Sequence, residues 1–453
     1  MPSTEIPHDA YAALRFAGFR NYLIGGFCAN VGRQMATVAV AWQIYQWTHS
    51  ATALGLVGLL NVLPLLVLSL PAGVLADRVD RKWVIAATNA GLAVLAILLA
   101  LVTHFQAAIP SLALLSAINE GLSRLAHSVE RPAGSRAMDF DHPALPIIYG
   151  LLFLMAILRI VGWPSRSAII PLLVPSRLLS NAVTWNSSAF EISTMAGPAI
   201  GGFVLAWLGF PVVYLLDAVG GILLVILIAN VRYETAPVRA SPESRTLRGV
   251  LAGAEFLWRK KTILAASSLD LFAVLLGGAV ALLPIYADEI LHVGPIGLGW
   301  LRAAPGIGAF GMALWLAHRR PLQRPGVTLL WAVGGFGAAI IVFGLSPWFW
   351  LSLIALFFTG VFDNVSVVVR QSLVQILTPD SLRGRVTAVN QIFIGSSNEI
   401  GTLRAGLMSA MIGPVGAVVW GGIGTITVAV LVARNLPQLR TSPALDKLSA
   451  EQP

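Results

Sequence analysis

The sequence is poor in cysteine, and the residue patterns of several enzyme classes are missing from it. Cys28 is the only cysteine among 453 residues, which leaves no disulfide framework and no cysteine-based metal site. The seven histidines show no metal-ligand spacing. The chain contains no Gly-x-x-x-x-Gly-Lys-Ser/Thr loop and no nucleophile–base arrangement. We therefore expect no enzyme activity, no metal and no cofactor.

Charge is also scarce, because charged residues make up 11% of the chain and apolar residues 57%, with a mean hydropathy of +0.79. A soluble domain has about 25% charged residues. A membrane span needs roughly 20 apolar residues. Because backbone groups must be paired within lipid, and the apolar runs are continuous rather than alternating, we predict an all-α membrane protein with twelve transmembrane helices. The predicted spans are 21–45, 52–75, 83–103, 148–169, 183–208, 211–231, 263–290, 297–317, 327–345, 349–376, 385–411 and 414–434.

The basic residues outside these spans fall mainly on one side. If the N-terminus is inside, the outer loops contain only Arg124, Arg131 and Arg136 as basic residues. The positive-inside rule then predicts that both termini are cytoplasmic. The net charge of +9 is explained by the inner loops, so we expect no nucleic-acid partner.

The sequence repeats itself internally. A shift of 241 residues places Gly58 on Gly299, and a shift of 204 places Arg166 on Arg370 and Gly202 on Gly406. These matches predict two six-helix halves in parallel repeat, 1–231 and 263–453, joined by a cytoplasmic linker at 232–262. The change of shift predicts an insertion in the first half at about 104–147. We expect an amphipathic helix near 111–128 within it, as a passive surface feature or as a lid.

The stretch GVLADRVDRK at 73–82 concentrates five charges in ten residues between apolar runs. It resembles the loop 2–3 signature of the major facilitator superfamily, although Asp80 stands where that signature has glycine. The resemblance implies a cytoplasmic gate in which Asp77 pairs with Arg383 or Arg385 across the two halves. A topological anchor that only keeps the loop inside is the alternative. The matching residues are Gly73, Asp77, Arg78, Arg81 and Lys82.

A second stretch, GPAIGG at 197–202, is similar to the helix-5 signature of exporters in the same superfamily. Gly197, Pro198, Gly201 and Gly202 match it, and generic packing of small residues is the alternative. Nearly the whole chain resembles the bacterial branch of drug and siderophore exporters, which includes relatives of the enterobactin exporter and of macrolide efflux pumps. The stretches FRNYL (19–23), LLVPSRLLSNA (172–182) and RQSLVQILTPDSLRGRV (370–386) show that likeness.

Charged residues within the predicted spans are candidates for function, because a charge near the bilayer centre costs several kcal/mol unless it is paired or hydrated. An acid in such a place can bind a proton that couples to transport, or can pair with an arginine to hold helices together. Glu399 and Asp270 are the first candidates for proton coupling. The candidate residues for proton coupling or substrate binding are Arg33, Asn30, Arg159, Glu191, Asp270, Asp363 and Glu399.

Other polar residues receive more specific expectations from their positions. Asn30 shares a helix face with Arg33, and we expect Arg33 and Arg159 to attract anionic substrate groups or to tune an acid. Asp217 and Arg302 lie near predicted outer ends, where they form an outer gate or reach water. Arg166 and Arg370 lie near inner ends, where we expect them to take part in gating.

Together these patterns predict a monomeric multi-pass protein of the bacterial inner membrane. Its expected function is the export of amphiphilic small molecules, such as siderophores, secondary metabolites or drugs, by proton antiport through alternating access. Its partners are then the lipid bilayer, the substrate and protons. A proton-coupled importer and a non-transporting membrane receptor on the same fold are the alternatives.

Overall fold

The computed structural model describes residues 9–110, 112–130, 138–232, 255–318 and 323–436, and helices dominate throughout these ranges. The longer helices are α1 (Ala17–Thr48), α2 (Ala51–Arg78), α3 (Arg81–His104), α4 (Ala113–Val129), α5 (Leu145–Leu173), α6 (Leu179–Leu208), α7 (Phe210–Ala229), α8 (Lys261–Leu276), α9 (Gly294–Ala317), α10 (Pro325–Leu345), α11 (Phe349–Leu377) and α12 (Asp380–Asn435).

The predicted spans coincide with these helices. Among the described residues, nine helical segments are long and apolar enough to cross a membrane. The last of them, Arg385–Asn435, covers two predicted spans, since α12 is interrupted only at Gly413, whose φ is 81°. The all-α membrane class is therefore confirmed, while the number of twelve crossings stays a prediction.

Local chemistry fixes several helix ends. The Ser50 hydroxyl accepts a hydrogen bond from the backbone N–H of Ala53 and caps the start of α2. Gly209 ends α6 with a φ of 79°, a left-handed conformation that favours glycine, and Pro211 follows in the first turn of α7. These caps keep the connections between successive helices very short.

One predicted span is not a continuous helix. Helix α8 ends at Leu276, and the chain continues through a 3₁₀ turn (Ala279–Leu282), one α turn (Leu283–Ile285) and one π turn (Tyr286–Ile290). The break occurs at Gly277 and Gly278. The predicted span 263–290 coincides with the candidate membrane span Lys261–Ile290, but the break within it was not predicted, because hydropathy registers the apolar character of this run and not its backbone geometry.

The helices pack as two groups, α1–α7 (the N-terminal half) and α8–α12 (the C-terminal half). In the first, α1 packs on α6 and α7, and α3 on α5 and α7. In the second, α11 packs on α9 and α10, and α12 on α8 and α10. The pairs α2–α12 and α6–α9 join the halves. We call the end of the bundle near residues 78–82 the motif end, and the end near residues 104–147 the insertion end.

The insertion contains the predicted amphipathic helix, which is α4, and is fastened to the first two helices. The Glu130 carboxylate accepts hydrogen bonds from the Ser50 hydroxyl at 2.5 Å and from the Ala51 N–H at 2.9 Å. The His142 ring, in the loop before α5, stacks on Trp47 with ring centroids 3.9 Å apart. Burial lowers the pKa of this imidazole, so it is uncharged at neutral pH and packs as an apolar plane.

Candidate functional site

Three arginines surround one buried aspartate in the N-terminal half. Asp217 on α7 is only 9% exposed. A Cβ atom on Gly32 of α1 would lie 2.7 Å from the Cα of Asp217, so the two helices touch there. Arg33, Arg159 and Arg166 all act electrostatically on the Asp217 carboxylate. The expectation that Asp217 reaches water is wrong, because close packing of α1 on α7 encloses it, whereas its part in an outer gate stays a prediction.

Neutral amides are the hydrogen-bond partners of two of these arginines. Arg33 Nη1 donates to Asn30 Oδ1 at 3.2 Å, which confirms that the two residues share a helix face. Arg166 Nη2 donates to Asn89 Oδ1 at 2.7 Å. Asn89 lies in the third predicted span, and its polar amide within an apolar run could have identified it as a partner of a buried charge. An amide satisfies a hydrogen bond without neutralising the charge.

The C-terminal half contains a buried ion pair. Arg370 Nη2 on α11 lies 3.2 Å from Asp270 Oδ2 on α8, and the two side chains are 3% and 5% exposed. Ser366 Oγ donates to Asp270 at 3.5 Å, and Arg370 Nη1 donates to Asn390 Oδ1 at 3.4 Å. Arg370 links α8, α11 and α12 inside one half, and its expected part in gating stays a prediction. Arg166 likewise bonds within its own half.

Asp363 stands between this pair and an open cavity. A cavity of about 300 Å³ lies beside the break of α8 and is walled by Asp363, Asn398 and Thr402 as well as apolar side chains. A much smaller void of about 10 Å³ touches both Asp363 and Asp270. Glu191, from α6 of the other half, acts electrostatically on Asp363. Three of the predicted acids therefore gather in one region.

Glu399 lies at the contact between the halves. Asn61 Nδ2 on α2 donates to Glu399 Oε2 on α12 at 3.2 Å. Arg159 on α5 and Arg302 on α9 both act electrostatically on the same carboxylate. Arg302, expected near an outer end, thus acts on an acid at the contact between the halves, as Arg159 of the other half does, and its part in an outer gate stays a prediction.

The helix-5 motif contacts both halves. Gly197 and Gly201 pack against α1, and a Cβ atom on Gly202 would lie 3.1 Å from the Cα of Gly299 on α9. At the other joint, a Cβ atom on Gly55 of α2 would lie 3.1 Å from the Cα of Gly406 on α12. Gly202 and Gly406 match under the 204-residue shift, so the two joints use equivalent glycines.

The stretch 73–82 is described only in part. Asp80 accepts a hydrogen bond from Lys82 N at 3.0 Å and caps α3, and its φ of −56° needs no glycine. Lys82 Nζ donates to the carbonyl of Val231 at 2.9 Å, within the same half. The side chains of Asp77 and Arg383 lie outside the described residues, so the gate pair stays a prediction.

Sequence reasoning missed two groups at the break of α8. Arg404 on α12 donates to the carbonyl of Leu276, the last residue of α8, and so places a positive charge at a helix C-terminus. Tyr45 on α1 donates its hydroxyl to Glu289 in the π turn, across the two halves. The charge of Arg404 within a predicted span was the signal that could have identified it.

Contacts between the halves lie at several depths in the described part of the chain. Those at Tyr45, Gly55 and Gly202 lie towards the insertion end, and that of Asn61 with Glu399 lies farther along α2. At the motif end a cavity of about 880 Å³ opens between residues 9–16 and the start of α6, and Arg177 and Trp185 line it. In the described part of the chain, no group of three or more His, Cys, Asp or Glu side chains could hold a metal ion.

Comparisons with known proteins agree with this architecture. The model of the family described as Major Facilitator Superfamily matches residues 22–402. The enterobactin exporter EntS of Escherichia coli O1:K1 / APEC is 26% identical over 424 residues, covering 93% of this chain and 92% of that protein.

Solved structures resemble the chain in fold alone, because their sequence identity is low. A bacterial homolog of the human lysosomal transporter Spinster, inward-facing and unoccupied, matches with a TM-score of 0.66 and 16% identity over 96% of this chain and 99% of that chain. The xylose transporter XylE from E. coli, inward open, matches with a TM-score of 0.61 and 14% identity over 98% and 99%.

Proposed function

Because this chain belongs to the Major Facilitator Superfamily, whose members are transporters and not enzymes, we propose that it exports amphiphilic small molecules by proton antiport. The observation behind export is the likeness, along 93% of the chain, to a protein named as an enterobactin exporter. The likeness of the helix-5 motif to the signature of exporters supports the same direction. A siderophore or a related secondary metabolite is the proposed cargo.

The proposed orientation places the motif end in the cytoplasm of a bacterial inner membrane. The basic residues near that end favour it through the positive-inside rule. We propose that this arrangement is an inward-facing state that receives cargo from the cytoplasm, since contacts at Tyr45, Gly55 and Gly202 hold the halves together towards the insertion end. Export then requires the insertion end to separate and the motif end to close.

A metabolite comparison tests export. The metabolites of cells and of their medium are compared with and without the gene, in iron-poor and in iron-rich growth. We expect one compound to accumulate inside the cells only when the gene is absent. An importer would instead leave a compound in the medium, and a receptor would leave both profiles unchanged.

Within this proposal, Asp363 is the acid that exchanges the transported proton. It borders the open cavity, and the small void next to it reaches Asp270. Asp270 is already engaged by Arg370. A carboxyl that faces water in one state and protein in another changes its proton affinity between the states, which is the requirement for coupling.

We therefore expect Asp363→Asn to abolish proton movement driven by the identified cargo, while cargo binding changes by less than about threefold. The measurement uses purified protein in vesicles with a pH-sensitive dye trapped inside. Glu120→Gln, on the exposed face of α4, is the matched control. Undiminished proton movement in Asp363→Asn would exclude Asp363 as the coupling acid.

The motif stretch gives a separate prediction. Asp77→Asn should slow transport without lowering the amount of protein in the membrane, because the proposed gate pair at the motif end would lose its acid. Lys82→Arg serves as the control, since it keeps the charge. Equal transport by the Asp77→Asn variant and the wild type would leave the stretch as a topological anchor.

A further inference from the structure

Helix α5 presents a charged and aromatic face to the interior of the bundle. Arg159, Trp163 and Arg166 are spaced by four and three residues and share that face. The opposite face contains Leu154, which is 48% exposed, and Gly150, which has no neighbouring atom within 4 Å of an added Cβ. That opposite face is turned to lipid, so the surface of Trp163, which is 59% exposed, faces the interior.

This interior region of the N-terminal half has an excess of positive charge. Arg33, Arg159 and Arg166 contribute three guanidinium groups, and Asp217 is the carboxylate that they share. The hydrogen-bond partners of Arg33 and Arg166 are the uncharged amides described above. Guanidinium groups keep their charge in proteins. Each uncompensated charge within a membrane costs several kcal/mol unless water or an anion offsets it.

Two arginines act electrostatically on one acid and yet donate no hydrogen bond in the described part of the chain. Arg159 and Arg302, one from each half, both act on the Glu399 carboxylate. Within the described ranges neither of them donates a hydrogen bond, and the buried Arg159 Nε has no acceptor. The carboxylate itself accepts from Asn61. Oxygen atoms of a ligand can therefore be bound by these guanidinium groups without displacing a protein partner.

Resting on the function proposed above, we propose that Arg159 and Arg302 bind the anionic group of an amphiphilic aromatic substrate, whose ring packs on Trp163. Arginine suits this role because its planar fork binds carboxylate-like oxygens in pairs and its plane stacks on rings. Glu399 is the internal anion that balances the two arginines while the site is empty.

The charges around Glu399 determine how its proton and the ligand are linked. Arg159 faces it from α5, Arg302 from α9, and the uncharged Asn61 from α2. On α8, which also packs on α12, the charged residue of the span is Asp270, and Arg370 already pairs with it. A bound anion therefore favours the protonated form of Glu399. Antiport needs the opposite linkage, which is why we assign coupling to Asp363.

Binding of a matched pair of probes tests the site in the full-length purified protein. The probes are 2-naphthoate and its uncharged analogue 2-naphthamide, and isothermal titration calorimetry measures the affinity of each. We expect 2-naphthoate to bind roughly tenfold or more tightly than 2-naphthamide, since hydrogen bonds to charged groups contribute about 1.5–3 kcal/mol.

Two substitutions then change the affinities in opposite directions. Arg159→Gln should weaken 2-naphthoate binding by about tenfold, whereas Glu399→Gln should strengthen it by a similar factor because the competing internal anion is gone. Neither should alter 2-naphthamide binding. Arg124→Gln, in the exposed pair on α4, is the control. The second substitution keeps the test decisive if Arg159→Gln fails to fold.

Equal affinity for the two probes, or no binding of 2-naphthoate, would overturn the anion site, and so would parallel changes for both probes in the variants. These results are independent of transport direction. Charge-selective binding without cargo flux in vesicles would reject the proposed function and keep the site. Proton-driven flux without charge-selective binding would reject the anion site and keep the proposed function.

Discussion

Gly299→Leu is expected to abolish transport and to open the insertion end of the bundle, whereas Gly311→Leu on the same helix leaves both unchanged. A Cβ atom on Gly299 would lie 2.6 Å from the carbonyl oxygen of Pro198 and 3.0 Å from the Cα of Gly202. Gly311 has no atom within 4 Å of an added Cβ. Overpacking of this kind costs about 1–3 kcal/mol, which changes a population by roughly 5- to 150-fold.

The opening is measured with one introduced cysteine. Cys28 is the only native cysteine, so a Cys28→Ser background accepts Met195→Cys, a position in contact with Gly306 at the α6–α9 joint. A membrane-impermeant maleimide is added on the side that the insertion end faces. We expect the introduced cysteine to be labelled in the Gly299→Leu variant and to be labelled little in the Gly311→Leu variant. Equal labelling and equal transport in the two variants would contradict the role of this joint.

Asp270→Asn should destabilise the protein more than any other single change at the charged clusters. It leaves Arg370 buried without its closest counter-ion. Removing one partner of a buried ion pair typically costs 3–5 kcal/mol. Because Asp363 still acts electrostatically on Arg370, we expect a loss of stability at the lower end of this range, about 3 kcal/mol. The free energy of unfolding in detergent is the quantity to measure.

Removal of the arginine of the pair is expected to destabilise the protein less than removal of the aspartate. In Arg370→Met the Asp270 carboxyl can take up a proton and become neutral, which a guanidinium group cannot do. The double variant Asp270→Asn/Arg370→Met should recover most of the stability, because neither charge remains buried. Arg124→Met, in an exposed pair, should change stability by less than about 0.5 kcal/mol. Additive losses in the double variant would show that the pair is not coupled.

The sequence predicted the helices well and the side-chain partners poorly. Length and hydropathy were enough for the spans and for α4, because lipid permits few backbone structures. The contact between Asn30 and Arg33 followed from helical spacing alone. In contrast, Asn61 and Glu399 are 338 residues apart. Their contact depends on how α2 and α12 tilt and rotate, which no local pattern specifies.

Two features were invisible in the sequence for the same physical reason. Counting residues from predicted helix ends placed Asp217 near an outer end, but it could not show that α1 packs closely on α7 around this residue. The break of α8 was also missed, since Gly277 and Gly278 lie in an apolar run. The partners that stabilise the break, Thr425 and Arg404, come from α12.

The charge on α1 has a consequence for synthesis of the protein. Although α1 has 32 residues, it is absent from the described segments that are apolar enough to cross a membrane unaided. Among the described residues, the acid that acts electrostatically on Arg33 is Asp217, about 180 residues later in the chain. At roughly 5–20 residues per second, α7 leaves the ribosome some tens of seconds after α1. The electrostatic partner of Arg33 is therefore synthesised well after α1 itself.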